Sequence, residues 1–95
     1  MTRSQLRSNA RQSIKDCVTQ SDAIRAGLVI AACNLPAHIV SADGCAKAAK
    51  DIADALDVLY PESAILGNIL ADCVKHRAWG ALWLIARRNA YPNHE

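Results

Sequence analysis

Phenylalanine is absent from this chain, and its aromatic residues are Tyr60, Trp79, Trp83 and Tyr91 alone. The hydrophobic half of the sequence is therefore Ala, Leu, Ile and Val, and an alanine-rich interior suits helices that approach one another closely. Small facing residues leave little room for a ligand cavity. Glycine and proline are also sparse, at four and three residues. Internal repeats, low-complexity tracts and strand-like alternation are missing, as are a phosphate loop, a GxSxG elbow and an HExxH pair.

Catalytic and metal chemistry consequently have little to rest on. Four cysteines, Cys17, Cys33, Cys45 and Cys73, are spaced unlike a zinc ribbon or a CxxC redox pair. Cys17, Cys33 and Cys73 lie among apolar residues at helical spacing and are expected to be reduced core thiols of a cytoplasmic protein. Cys45, beside Gly44 at a helix start, is the thiol placed to have a lowered pKa. His38, His76 and His94 could act as bases, but no motif links them. Cys73 and His76 could share a metal only if Cys33, His38 or Cys45 joined them. The expectation is a protein that is not an enzyme and has no cofactor, no metal site and no catalytic residues.

Charge is low in total and uneven in distribution. A net charge of +2 is too small to make the whole surface a polyanion binder. Residues 1–26 are basic, 27–62 acidic through Asp43, Asp51, Asp54, Asp57 and Glu62, and the remainder basic again. Such striping allows ion pairs between helices. The uncharged stretch Ala26 to Ala42 contains Asn34, Pro36 and His38 and would make a poor membrane span, so no membrane partner is expected. Met1 to Lys15 lacks the apolar stretch of a secretory signal; in its Arg and Ser content it shares the composition of a transit peptide, as ordinary amphipathic helices also do.

Periodicity predicts an all-α fold, a bundle of five or six short helices forming one domain over residues 1–95, with 91–95 as a frayed tail. Leu6, Ala10, Ile14 and Val18, with Cys17 alongside, mark one face of a helix over Ser4 to Thr19. Ser21 and Asp22 form an N-cap pair for Ala23 to Cys33, a helix apolar nearly all round and hence central. Asn34 is expected to close it in the left-handed conformation, with Pro36 opening a short helix through Val40. Asp43 and Gly44 form a break before a third helix, Cys45 to Leu59, with Ala48 or Ala49, Ile52, Ala55 or Leu56 and Leu59 inward. Tyr60 ends that helix, and Pro61 with Glu62 starts the next. Residues 61–90 would make a long rod, so a bend near Lys75 to Arg77 is expected.

Two rows stand out as partner-binding candidates. Arg3, Arg7, Arg11 and Lys15 recur every four residues along one side of the first helix, where they could grip phosphates or an acidic groove, or form a solvated flank whose stems cover the core edge. Lys75, Trp79, Trp83 and Arg87 repeat the spacing, with Arg88 and Tyr91 close by. Tryptophan and arginine combine large desolvated area with directional polar groups, as binding hot spots do; in a chain without Phe they could equally be the largest core pieces. The uncharged run Ala78 to Ala86 is either wholly buried or meets a partner, a second copy making a homodimer. A third pattern, Asp51 to Leu70, spaces Ala53, Leu56 and Val58 as in a helix-turn-helix, but Asp57 replaces the turn glycine and the second helix offers no base-reading cations.

The resulting expectation is a small helical protein that binds a protein or ribonucleoprotein and blocks or bridges it. In size and helicity it has the format of accessory proteins of phages and mobile elements, including anti-CRISPR inhibitors, immunity proteins and antitoxins, although no residue motif joins it to one family. The alternative is a nucleic-acid-binding transcriptional regulator using the first helix or residues 51–70.

Overall fold

Thr2 opens the chain with a capping box. Its hydroxyl accepts the Gln5 N–H at 3.1 Å while its own N–H donates to Gln5 Oε1 at 2.8 Å, so two orphan donors of the first turn are satisfied reciprocally. The computed structural model describes residues 1–35, 41–58 and 64–92. The helix that follows, α1, spans Arg3–Asp16. It stops three residues short of the expected Thr19, which leaves Val18 95% exposed rather than on the apolar face.

Thr19 is instead the cap of α2, Gln20–Cys33, accepting the Asp22 N–H at 3.1 Å. The predicted cap pair Ser21 and Asp22 sits two and three residues inside, where the Asp22 carboxylate meets the positive end of the helix dipole. Asn34 closes α2 in the right-handed region, at φ −90 and ψ −2, and not in the left-handed conformation. Ser41 caps α3, Ala42–Asp57, by accepting the Gly44 N–H, so Asp43 and Gly44 form its first turn rather than a break. Two helices follow, α4 over Ala64–Lys75 and α5 over Trp79–Ala90, with the bend where it was expected. The short helix at Pro36–Val40, the stop at Tyr60, the start at Pro61 and most of the tail lie outside the described residues.

These five helices make an all-α bundle in which α2 packs against each of the other four. The shortest extent of the molecule is 20 Å, about two helix diameters, so the core lies between two layers. Leu28, Ile30 and Ala32 of α2 are fully buried, as are Cys45 and Leu56 of α3, Leu70 of α4, and Leu82 and Ala86 of α5. Each buried Leu or Ile contributes roughly 1.5–3 kcal/mol relative to exposure. Of the paired alternatives on α3, Ala49 and Leu56 are the buried members. The cysteines divide: Cys33 and Cys45 are buried, Cys73 is half-buried, and Cys17 leaves the core to donate its thiol to the Ser13 carbonyl. Burial, followed by the neighbouring Cys45, pushes the Cys33 thiol up.

The charge striping is used internally on one side. Arg25 of α2 pairs with Asp54 at 2.8 Å and with Asp57 of α3, while Lys47–Asp51 and Lys50–Asp54 run along α3. Lys50 first, then Arg25, hold the Asp54 carboxyl below its ordinary value. A depressed carboxylate contributes stability above its unfolded pKa and loses that contribution as pH falls through the folded one. Asp54→Asn is therefore expected to be less stable than the wild type at neutral pH, and the two unfolding midpoints are expected to converge as pH is lowered below the usual carboxylate range. Because the group is exposed, the gap should be small and salt-sensitive.

Candidate interaction groove

The basic row of α1 does not act as one unit. Arg3 turns its guanidinium onto the end of α2, where Nη2 donates to the carbonyls of Ala32 at 3.3 Å and of Cys33 and Leu35 at 2.7 Å each. Arg7 Nη1 donates to Asn34 Oδ1 at 2.9 Å. The last turn of α2 carries no basic residue of its own, so Arg3 satisfies carbonyls at its end, and both cations complement its negative dipole end. Both cations are thus engaged at the end of α2, Arg3 in part-buried bonds and Arg7 in an exposed one.

The second row is also divided. Lys75 ends α4 and Trp79 begins α5, so the four-residue step from one to the other is not one helical turn. Arg77 intervenes with φ 54, the one non-glycine with positive φ among the described residues. The N–H of Arg77 donates to Val74 O at 3.1 Å and that of Ala78 to Cys73 O at 2.8 Å. This pair of bonds is a Schellman motif with Arg77 at the position usually held by glycine. Trp83 and Arg87 line a separate groove between α3 and α5 with Leu35, Ala48, Asp51, Ile52 and Tyr91. Lys75, Arg87 and Arg88 are exposed in the last turns of their helices, where cations suit the dipole.

What the fold brings together is the remainder of each row. Arg11, Ile14 and Lys15 of α1, Ile30 of α2, Val74 of α4, Arg77 of the turn and Trp79 of α5 line a groove of about 440 Å³. Ile30 and Val74 are buried in its floor, Ile14 and Trp79 are half-buried, and Arg11, Lys15 and Arg77 are exposed at its rim. No acid is among these lining residues, and none of the three cations forms an ion pair or side-chain hydrogen bond with another described residue. No family model, curated protein or solved structure matches this chain. The groove therefore has to be read from its own chemistry.

A lining of this kind is able to meet a negatively charged surface that also carries apolar groups. A cation rim in water attracts and orients a partner, and the apolar floor supplies the non-directional part of the affinity. Sequence reasoning missed Arg77, Ile14, Ile30 and Val74 as members. The signal for Arg77 was a helix break without a glycine; the other three read as ordinary core residues. Cys45 is fully buried and its thiol faces the Ala32 carbonyl at 3.5 Å, so it is no accessible nucleophile. His76 is exposed, while His38 and His94 lie outside the described residues. The helix-turn-helix candidate also fails in its described part: α3 and α4 do not pack against each other, whereas such a motif needs its two helices in contact. Within the uncharged run, Leu82 and Ala86 are buried while Gly80, Ala81 and Leu84 are exposed.

Proposed function

We propose that this chain is a non-catalytic binding protein that acts stoichiometrically, seating a larger protein or ribonucleoprotein against the Arg11, Lys15, Arg77 and Trp79 groove and so blocking or bridging it. The supporting observation is the set of three rim cations, none with an ion pair or side-chain hydrogen bond to another described residue, around a floor of Ile14, Ile30, Val74 and Trp79. Cations that serve a fold are bound to something in it, as Arg3, Arg7 and Arg25 are. Lys75 extends the basic surface, and Trp83, Arg87 and Arg88 offer a second edge along α5. The size, the all-helical architecture and the placement of charge fit a cytoplasmic inhibitor of the kind phages and mobile elements encode.

The test reverses the rim without touching the core. Arg11→Glu with Lys15→Glu, in the full chain, is expected to keep the free energy of unfolding within about 1 kcal/mol of wild type, about 0.5 kcal/mol for each surface change. In affinity capture from cells that carry the protein naturally, the same variant is expected to lose at least tenfold of whatever the wild type retains at physiological salt. If every retained molecule persists after the reversal, the groove is not the binding surface.

A further inference from the structure

Arg77 occupies a backbone conformation that suits glycine, and its side chain borders the groove. We infer that the occupant of this groove is an acidic polypeptide segment with aliphatic or aromatic side chains between its carboxylates, and that Arg77 is the residue that selects it. The inference rests on the binding role proposed above. Its first support is the floor. Ile14, Ile30, Val74 and Trp79 match hydrocarbon side chains, whereas a phosphodiester backbone has nothing to place there. A nucleic acid could use Trp79 for base stacking, but Trp79 is the one aromatic residue of the lining, and the aliphatic remainder would go unmatched.

The rim is the second support. Its three cations come from α1 and from the α4–α5 turn, on separate elements around the floor. Carboxylates flanking an inserted apolar side chain would meet them on more than one side, and an arginine fork binds a carboxylate through two parallel N–H bonds. Arg77 itself is the third. At φ 54 a Cβ is strained where glycine is not, and no ion pair or side-chain hydrogen bond with a described residue offsets that strain. Strained backbone concentrates where a side chain is needed for a ligand. No described residue gives a reason for arginine at this position; an anionic partner does.

The experiment uses the full chain, uniformly labelled for amide NMR, and four fluorescent probes: a short peptide alternating paired glutamates with paired leucines, the same peptide with glutamine for glutamate, oligoglutamate, and a single-stranded oligothymidylate. The glutamate–leucine peptide is expected to bind most tightly, with shifts at the Arg11, Lys15 and Arg77 amides and at the Trp79 indole N–H, and to weaken at least tenfold on either peptide change. Arg77→Gly is expected to raise the unfolding midpoint by a few degrees and yet weaken this peptide about tenfold, with Arg77→Lys recovering part of the loss. Tighter binding of the oligothymidylate, equal binding of the glutamine peptide, or no groove shift with any peptide overturns the acidic-segment inference. Unchanged peptide affinity in Arg77→Gly overturns the role of Arg77. The binding role itself stands or falls separately, on the capture experiment with Arg11→Glu and Lys15→Glu.

Discussion

Replacing Arg3 by alanine is expected to lower stability by about 2–3 kcal/mol, because hydrogen bonds from a charged group are worth more than neutral ones and the carbonyls left behind keep their desolvation penalty. For a domain of this size that is a fall of roughly 10–20 °C in the thermal midpoint. The reason lies in the placement of the charge. Arg3 stands at the first turn of α1, the wrong end of its own helix for a cation, yet its guanidinium reaches the carbonyls of Ala32, Cys33 and Leu35 at the end of α2. There it supplies both donors and positive charge to a terminus that has no basic residue in its last turn. Its Nε is buried without a partner, so the fork is incompletely used, which holds the effect to the lower part of the range for a buried charged network. Arg3→Lys, a single point charge without the planar fork, is expected to fall between wild type and alanine. Arg11→Ala is expected to change stability by less than about 0.5 kcal/mol. Urea unfolding of the three variants checks the series; an Arg3→Ala midpoint equal to that of Arg11→Ala would remove the structural role assigned to Arg3.

The same two residues show where sequence reading succeeds and where it stops. Four-residue spacing correctly put Arg3, Arg7, Arg11 and Lys15 on one side of one helix, since helical periodicity is a local property. What each cation faces is not local. It depends on α1 and α2 forming an antiparallel hairpin about the short connection at residues 17–19, which a reading that runs the first helix to Thr19 does not show. Folding the chain back there sets Arg3 opposite Cys33, and the absence of a basic residue in α2's last turn then asks for a cation from outside. The row at 75–87 failed for the opposite reason. Lys75 and Trp79 share a period only if the helix is continuous, and the left-handed Arg77 breaks it without a glycine or proline to announce the break. Helix number and the central place of α2 were legible because apolar pattern dictates them, and the bend before Trp79 because a thirty-residue rod is too long for so small a domain. The caps at Thr19 and Ser41 were misread by two to three residues because several Ser, Thr and Asp residues competed for each, and geometry alone chooses among them.

Gly27→Val is expected to cost about 3 kcal/mol, the upper part of the range for overpacking a well-filled core, and to disturb the groove from beneath. Gly27 lies in the middle of α2, where glycine is less favourable than alanine by about 1 kcal/mol, so its presence needs a packing reason. That reason is close approach: a Cβ placed there would stand 2.7 Å from Val74 Cγ2, 3.1 Å from Leu82 Cδ2 and 3.4 Å from Trp79 Cζ3. Val74 is β-branched and has little rotamer freedom to withdraw, while Leu82 is fully buried. For alanine the helical gain offsets part of the clash; valine adds two methyl groups to the same space with no comparable gain. Val74 and Trp79 also belong to the groove, so pushing them outward reshapes the floor against which the proposed segment packs. Gly27→Ala is accordingly expected to bind the glutamate–leucine peptide more weakly even though it alters no cation. A double-mutant cycle separates contact from general damage. If Val74 is what the new methyl meets, Gly27→Ala in a Val74→Ala background should be neutral or stabilising, a non-additivity of about 1 kcal/mol or more; additive losses would mean that the two helices are not in the close contact that Gly27 permits.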